Sequence, residues 1–130
     1  MKYYSLRKLF VVPLWLSFLL GVTILGVAQE IKVDNTAKYV GNGRYDWTVS
    51  IVADKSVLSK IQAVEYTLHP TFPDPVRRGT GPRFSISANG WGEFSIKVKI
   101  IYKDRNRSPT TLNYWLRLFE KSRVSKTMSY

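Results

Sequence analysis

Phe94-Ser95-Ile96-Lys97-Val98-Lys99-Ile100-Ile101-Tyr102 alternates apolar and polar side chains. The period of two lays Phe94, Ile96, Val98, Ile100 and Tyr102 on one side, and Ser95, Lys97 and Lys99 on the other. That is the pattern of a strand with one buried face. The same period recurs to either side. Trp47, Val49 and Ile51 oppose Thr48 and Ser50; Val64, Tyr66 and Leu68 oppose Glu65 and Thr67. Leu112, Tyr114, Leu116 and Leu118 oppose Asn113, Trp115 and Arg117. A weaker run covers 31–40 and a short one 84–88. Turn residues stand between the runs: Gly41-Asn42-Gly43, Pro73-Asp74-Pro75, Gly79-Thr80-Gly81-Pro82, Asn89-Gly90, and the stretch 104–109. Only 54–60 reads as a helical turn, with Asp54 in the cap position. Short strands at this spacing, with no helices between them, predict an all-β, immunoglobulin-like β-sandwich over 31–120, its core formed by two apolar sheet faces. Segment 121–130 shows no apolar period and reads as a flexible basic tail.

The chain has 130 residues, enough for one domain. It has no cysteine and one histidine, His69. That leaves no disulfide frame, no thiol nucleophile and no metal-ligand cluster, so neither cofactor nor metal is expected. Lys2, Arg7 and Lys8 precede a stretch, 9–28, without a single charge. The stretch is long enough for a transmembrane helix. It also ends Gly26-Val27-Ala28-Gln29, with the small residues of a cleavage site. Residues 1–28 therefore read as a hydrophobic helix, either a signal peptide cut near Ala28 or a single-pass anchor with its N-terminus inside. Both place the domain outside the cytoplasm, in the periplasm or beyond, with membrane contact only through this segment.

The formal net charge is +11. Cleavage after Ala28 would leave 17 of the 20 Lys and Arg against all 9 Asp and Glu, a net +8. Such a surface favours anionic partners in the envelope. The basic residues are scattered, apart from Arg105 and Arg107 in a turn and Lys121, Arg123 and Lys126 near the end. No nucleic-acid motif carries them, so nucleic acid is not expected as a partner.

Two loop motifs carry the chemistry. Leu68-His69-Pro70-Thr71-Phe72 closes one apolar run, and Gly90-Trp91-Gly92-Glu93-Phe94 opens another. Pro70 and Pro73 stiffen the first loop, which offers an imidazole, a hydroxyl and a ring. Gly90 and Gly92 let Trp91 be displayed rather than buried, with neighbouring N–H groups free. Two ring faces with a hydroxyl between them suit a flat, mostly apolar group carrying one amide. Glu93, if turned inward, would favour a cation instead. Read singly, each residue has a plainer role. Trp47, Tyr66 and Tyr114 belong to the core. His69 would be a hydrogen-bonding brace, Phe72 and Trp91 caps over the sandwich end, and Trp115 a partly covered edge.

Together the two motifs resemble those of the YEATS family of acyl-lysine readers, in its prokaryotic branch. The resemblance covers about 45–119, and the elements follow the family's order. It implies a non-enzymatic immunoglobulin-like module whose loop end takes an acylated protein or peptide. Phe72 and Trp91 would be the sandwiching rings. Thr71 would bond the acyl amide, with the Trp91 backbone N–H as second donor. His69 would orient the channel floor and Phe94 would back it. In the loop before Trp47, Gly43-Arg44-Tyr45-Asp46, Tyr45 would supply the remaining wall.

Two other functions compete. One is a structural or adhesive sandwich of the cell envelope, with aromatic motifs that only close the fold and a basic face on anionic partners. The other is a glycan hydrolase, which needs two positioned carboxylates. The mouth offers only Glu93.

Overall fold

A computed structural model describes residues 30–128. The predicted helix of 1–28 lies outside the described residues. Among the described residues, seven strands form two antiparallel sheets. The first sheet has β1 (Lys32–Gly41), β2 (Arg44–Val52) and β5 (Ile86–Gly90) in the order β1-β2-β5. The second has β3 (Ile61–Thr67), β4 (Val76–Arg78), β6 (Ser95–Tyr102) and β7 (Thr110–Trp115) in the order β4-β3-β6-β7. The alternation of β6 is realised, with Ile96, Val98 and Ile100 fully buried and Lys97 and Lys99 exposed. Trp47, Val49 and Ile51 face them from β2. Burying such side chains contributes about 1.5–3 kcal/mol each before chain entropy is subtracted.

Local irregularities have local causes. The β1–β2 turn takes left-handed backbone at Gly41, Asn42 and Gly43 (φ 92, 55 and 67°), conformations that glycine and asparagine tolerate best. A register shift between Ile61 and Ala63 opposite β6 lets Ala63 and Val64 both be buried, where strict alternation would expose one. Gly79 packs against the main chain of Phe84, and a Cβ there would lie 2.3 Å from the Phe84 carbonyl oxygen. Asp54 does occupy the N-cap of the four-residue helix α1 (Lys55–Leu58), but its side chain makes no capping hydrogen bond.

Segment 121–130 is not a loose tail where it is described. Helix α2 (Phe119–Thr127) runs along β1. Ser125 Oγ donates to the Ala37 carbonyl at 3.1 Å, and Lys121 Nζ lies 2.9 Å from Asp34 Oδ1. These partners lie far away in sequence, which is why no apolar period announces the helix. No helix among the described residues is long and apolar enough to cross a membrane.

Beneath α2, Asn35 joins the two sheets. It is 3% exposed. Its Nδ2 donates to the carbonyls of Arg117 (2.8 Å) and Thr36 (3.1 Å). Its Oδ1 accepts from the Tyr114 hydroxyl (2.6 Å) and the Arg117 N–H (3.1 Å). Burial, reinforced by the Asp34 charge, pushes the Tyr114 phenol up to about 12.

Partial burial pushes the Asp34 carboxyl up, but bonds from Lys121, the Asn35 N–H and Tyr114 outweigh it and hold the group below its ordinary value of 3.8. A lowered folded-state pKa adds stability above the unfolded value and loses it as pH falls through the folded one. The melting advantage of wild type over Asp34→Asn should therefore shrink as pH drops below 3.8. Near neutrality it should stay under about 1 kcal/mol, because Asp34 is half exposed. A gap that widens on acidification would contradict this.

Candidate functional site

Both motif loops emerge at one end of the sandwich. The first follows β3. The Phe72 N–H donates to the His69 carbonyl (3.0 Å), and the Leu68 N–H to the Pro75 carbonyl (2.7 Å), so the chain doubles back into β4. Strand β4, which a stretch bearing proline and arginine does not announce, gives this loop a second anchor through Glu65, Tyr66 and Thr67. Arg77, on β4, donates to the carbonyls of Pro73 (2.9 Å) and Asp74 (3.1 Å) and lies 5.7 Å from the centre of the Phe72 ring. It holds the loop in shape by main-chain bonds and a cation–π contact.

The second loop joins β5 to β6. Gly90 is buried and pairs with Tyr45. A Cβ on Gly90 would stand 3.5 Å from Phe72 Cζ and 3.7 Å from Trp47 Nε1, in the space above the aromatic floor. The Phe94 carbonyl accepts the Leu116 N–H at 2.9 Å, and Glu93 Oε2 accepts the Leu118 N–H at 2.7 Å. One oxygen of the Glu93 carboxylate is thus held by the chain leading into α2.

Between the loops lies a cavity of about 530 Å³. His69, Thr71, Phe72, Trp91 and Phe94, all singled out in the sequence, line it together with Gly90 and Glu93. Phe72 and Phe94 are tilted rings 5.3 Å apart, and each meets the buried Trp47 edge-on at 6.2 Å. They form a floor continuous with the core. Trp91 is 72% exposed and makes no ring contact among the described residues. It stands as an open wall, unlike an end-cap. The Trp47 Nε1–H, buried below, has no hydrogen-bond partner among the described residues.

His69 and Thr71 form a unit. His69 Nδ1 lies 2.9 Å from Thr71 Oγ1, and the Thr71 N–H points at the same nitrogen at 3.3 Å. A nitrogen that receives an N–H is an acceptor, so the ring proton sits on Nε2. The Thr71 hydroxyl then gives its proton to His69 and keeps its lone pairs for a ligand. His69 also meets Phe94 edge-on at 6.2 Å, which fixes its plane.

Tyr45 does not line the cavity. Strand alternation turns it inward with Trp47, and its ring packs against Tyr39 (5.2 Å) and Phe119 (5.6 Å). Its neighbour Arg44 lines the cavity instead, beside Asn89. Arg44 Nε donates to Asn89 Oδ1, and Asn89 Nδ2 donates to Asp46 Oδ1 at 2.7 Å. The alternation that puts Tyr45 inside is the signal that pointed to Arg44.

The model of the prokaryotic YEATS domain matches residues 45–117. The chain belongs to this family. AF-9 homologues of Candida glabrata and Eremothecium gossypii are 30% and 33% identical over 83% and 75% of the chain. The chain covers 54% and 52% of them, about half the length of the curated relatives it matches. A solved yeast AF-9 homologue, Yaf9, superposes with TM-score 0.62 at 28% identity, over 72% of this chain and 74% of that one. Yaf9 YEATS domains with TM-scores of 0.57 and 0.59, both 26% identical, were solved with an acetylated histone H3 peptide and as recognising a succinylated one. The first covers 72% of this chain and 78% of its own, the second 74% and 80%. The YEATS match spans both motif loops and the strands that set them side by side.

Proposed function

We propose that this YEATS domain is a non-enzymatic reader whose loop-end channel holds an acylated lysine or a closely similar amide. One observation carries the reading. The Thr71 lone pairs and the Trp91 main-chain N–H flank the same apolar floor, and that N–H has no hydrogen-bond partner among the described residues. An amide has one N–H and one carbonyl, so it satisfies both groups at once. Thr71 Oγ1 accepts the ligand N–H and the Trp91 N–H donates to the acyl oxygen. Phe72 and Phe94 carry the flat acyl group from below, and the Trp91 indole closes over it. An unmodified ammonium would lose water against the rings, and the Glu93 carboxylate beside them already has one oxygen tied to the Leu118 N–H. The acylated histone peptides of the Yaf9 structures support this chemistry. Export through segment 1–28 belongs to the same proposal, with the ligand met outside the cytoplasm.

The test is an NMR titration with acetyl-, crotonyl- and unmodified-lysine peptides. Saturable shifts at the Trp91 indole and the Thr71 amide are expected with the acylated peptides alone. Silence at millimolar acyl peptide, or equal shifts with unmodified lysine, would reject the reading.

A further inference from the structure

The end of the sandwich away from the channel gathers positive charge. Strand β2 ends there at Val52, which pairs with Lys32 at the start of β1. The chain then runs through α1 into β3, whose first residue, Ile61, pairs with Tyr102 at the end of β6. The Lys103 N–H donates to the Lys60 carbonyl at 2.9 Å, and the Arg107 guanidinium lies 3.7 Å from the centre of the Tyr102 ring. These contacts bring Lys32, Lys55, Lys60, Lys103, Arg105 and Arg107 to one pole, all of them exposed. The acids there are Glu30, Asp54 and Asp104. Glu30 lies 3.7 Å from Lys32, and Asp104 Oδ1 accepts the Asn106 N–H at 3.0 Å. Among the described residues the other five cations form no ion pair. The six come from three segments around the pole and none lines the channel, so they suit an extended anionic surface better than one small ion.

The preceding sequence names that surface. Residues 9–28 carry no charge and are long enough to span a bilayer. Strand β1 begins at Lys32, four residues after Ala28. Four residues reach at most about 14 Å. With segment 1–28 in a bilayer, the pole would stand within roughly two screening lengths of the headgroups at physiological salt. The channel lies at the other end of the same strands. Strand β6 runs from Ser95, next to Phe94 of the channel floor, to Tyr102 at the pole, a length of about 23 Å.

We propose that the basic pole rests on anionic phospholipid headgroups of the membrane that holds segment 1–28, so that the channel opens away from the bilayer. This rests on segment 1–28 spanning the membrane, and not on which ligand the channel takes. The chain has no cysteine, so Ser108→Cys at the pole and Val40→Cys near the mouth each give a single dye site. The full chain is placed in nanodiscs of phosphatidylcholine, with or without phosphatidylglycerol, and energy transfer to an acceptor-labelled lipid is read. Transfer from position 108 should rise with phosphatidylglycerol and fall with added salt. Transfer from position 40 should stay low in both. A cation near an anionic surface is worth about fivefold in attachment. Lys60→Gln, Lys103→Gln and Arg105→Gln together should therefore weaken docking by on the order of 100-fold and return the 108 signal to its phosphatidylcholine level. Arg107 is kept in this variant because it packs on Tyr102. Lys97→Gln, Lys99→Gln and Lys126→Gln remove the same charge elsewhere and should leave most of the rise.

A 108 signal indifferent to phosphatidylglycerol would overturn the proposal. So would an equal loss in the two triple variants, which would make net charge and not the pole the cause. High transfer from position 40 would put the mouth on the bilayer and overturn the orientation. A full chain that does not stay with the discs would remove the tether and the proposal with it. None of these outcomes touches the acyl-amide reading, which the peptide titration tests by itself.

Discussion

Thr71→Val should weaken binding of an acyl-lysine peptide about 10- to 100-fold while leaving the fold in place. The substitution keeps the branched shape and removes one oxygen. In the wild-type chain that oxygen donates to His69 Nδ1 and so keeps its lone pairs for the ligand. In the variant the ligand N–H enters the same apolar channel without an acceptor. An unsatisfied buried donor costs about 1–3 kcal/mol, and each 1.4 kcal/mol is about tenfold in affinity. Thr71 is exposed in a loop whose shape comes from Pro70, Pro73 and the Arg77 clamp, so stability should change little. Thr71→Ser, which retains the hydroxyl, should bind within a few-fold of wild type. Calorimetric titration of the three chains separates the outcomes. If Thr71→Val binds as wild type does, Thr71 is not the acceptor. If it melts far below wild type, the loop is a structural cap and the plainer reading of these motifs returns.

Asn35→Leu should be the most damaging single substitution outside the hydrophobic core, lowering stability by about 3–5 kcal/mol. Leucine keeps the same branching and is no smaller, so the loss would not come from a cavity. It would come from four hydrogen bonds at one buried side chain. The Arg117 N–H and carbonyl and the Tyr114 hydroxyl would each be left without their Asn35 partner. Each such group costs about 1–3 kcal/mol, partly recovered where water enters. A loss of this size is a large fraction of the 5–15 kcal/mol that holds a typical domain together. Chemical denaturation measures it directly. A loss below about 1 kcal/mol would show that the asparagine is tolerated rather than needed, as some buried polar groups are.

The strands were legible because one physical rule generates them. A strand buried on one face must alternate, and β2, β6 and, from Val64 onward, β3 do. Strand β4 was not, because three residues are too few to show a period and Val76 is more than half exposed. Helix α2 was hidden for a related reason. It has no buried residue of its own and is held mostly by polar contacts to β1. At the site, the two loop motifs were visible, since proline and glycine mark where chains turn and rings are displayed. The wall assigned to Tyr45 was misplaced by one residue. Choosing between Tyr45 and Arg44 required knowing which face of β2 meets the core, and Trp47, two residues on, already fixed that. Asn35 drew no notice because a lone asparagine in a weak strand looks like any surface residue until its distant partners are in place.

Strand β1 is the outermost member of its sheet, and α2 lies along it with Ser125 on the Ala37 carbonyl. An uncovered border strand is a template on which another chain can add a strand. The helix blocks that route, so a chain shortened before Phe119 would expose a growth edge. Such a truncated domain would tend toward ordered self-assembly at high concentration even with its ligand channel unchanged. Helix α2, which does not line the channel, would then decide whether the domain stays a single particle.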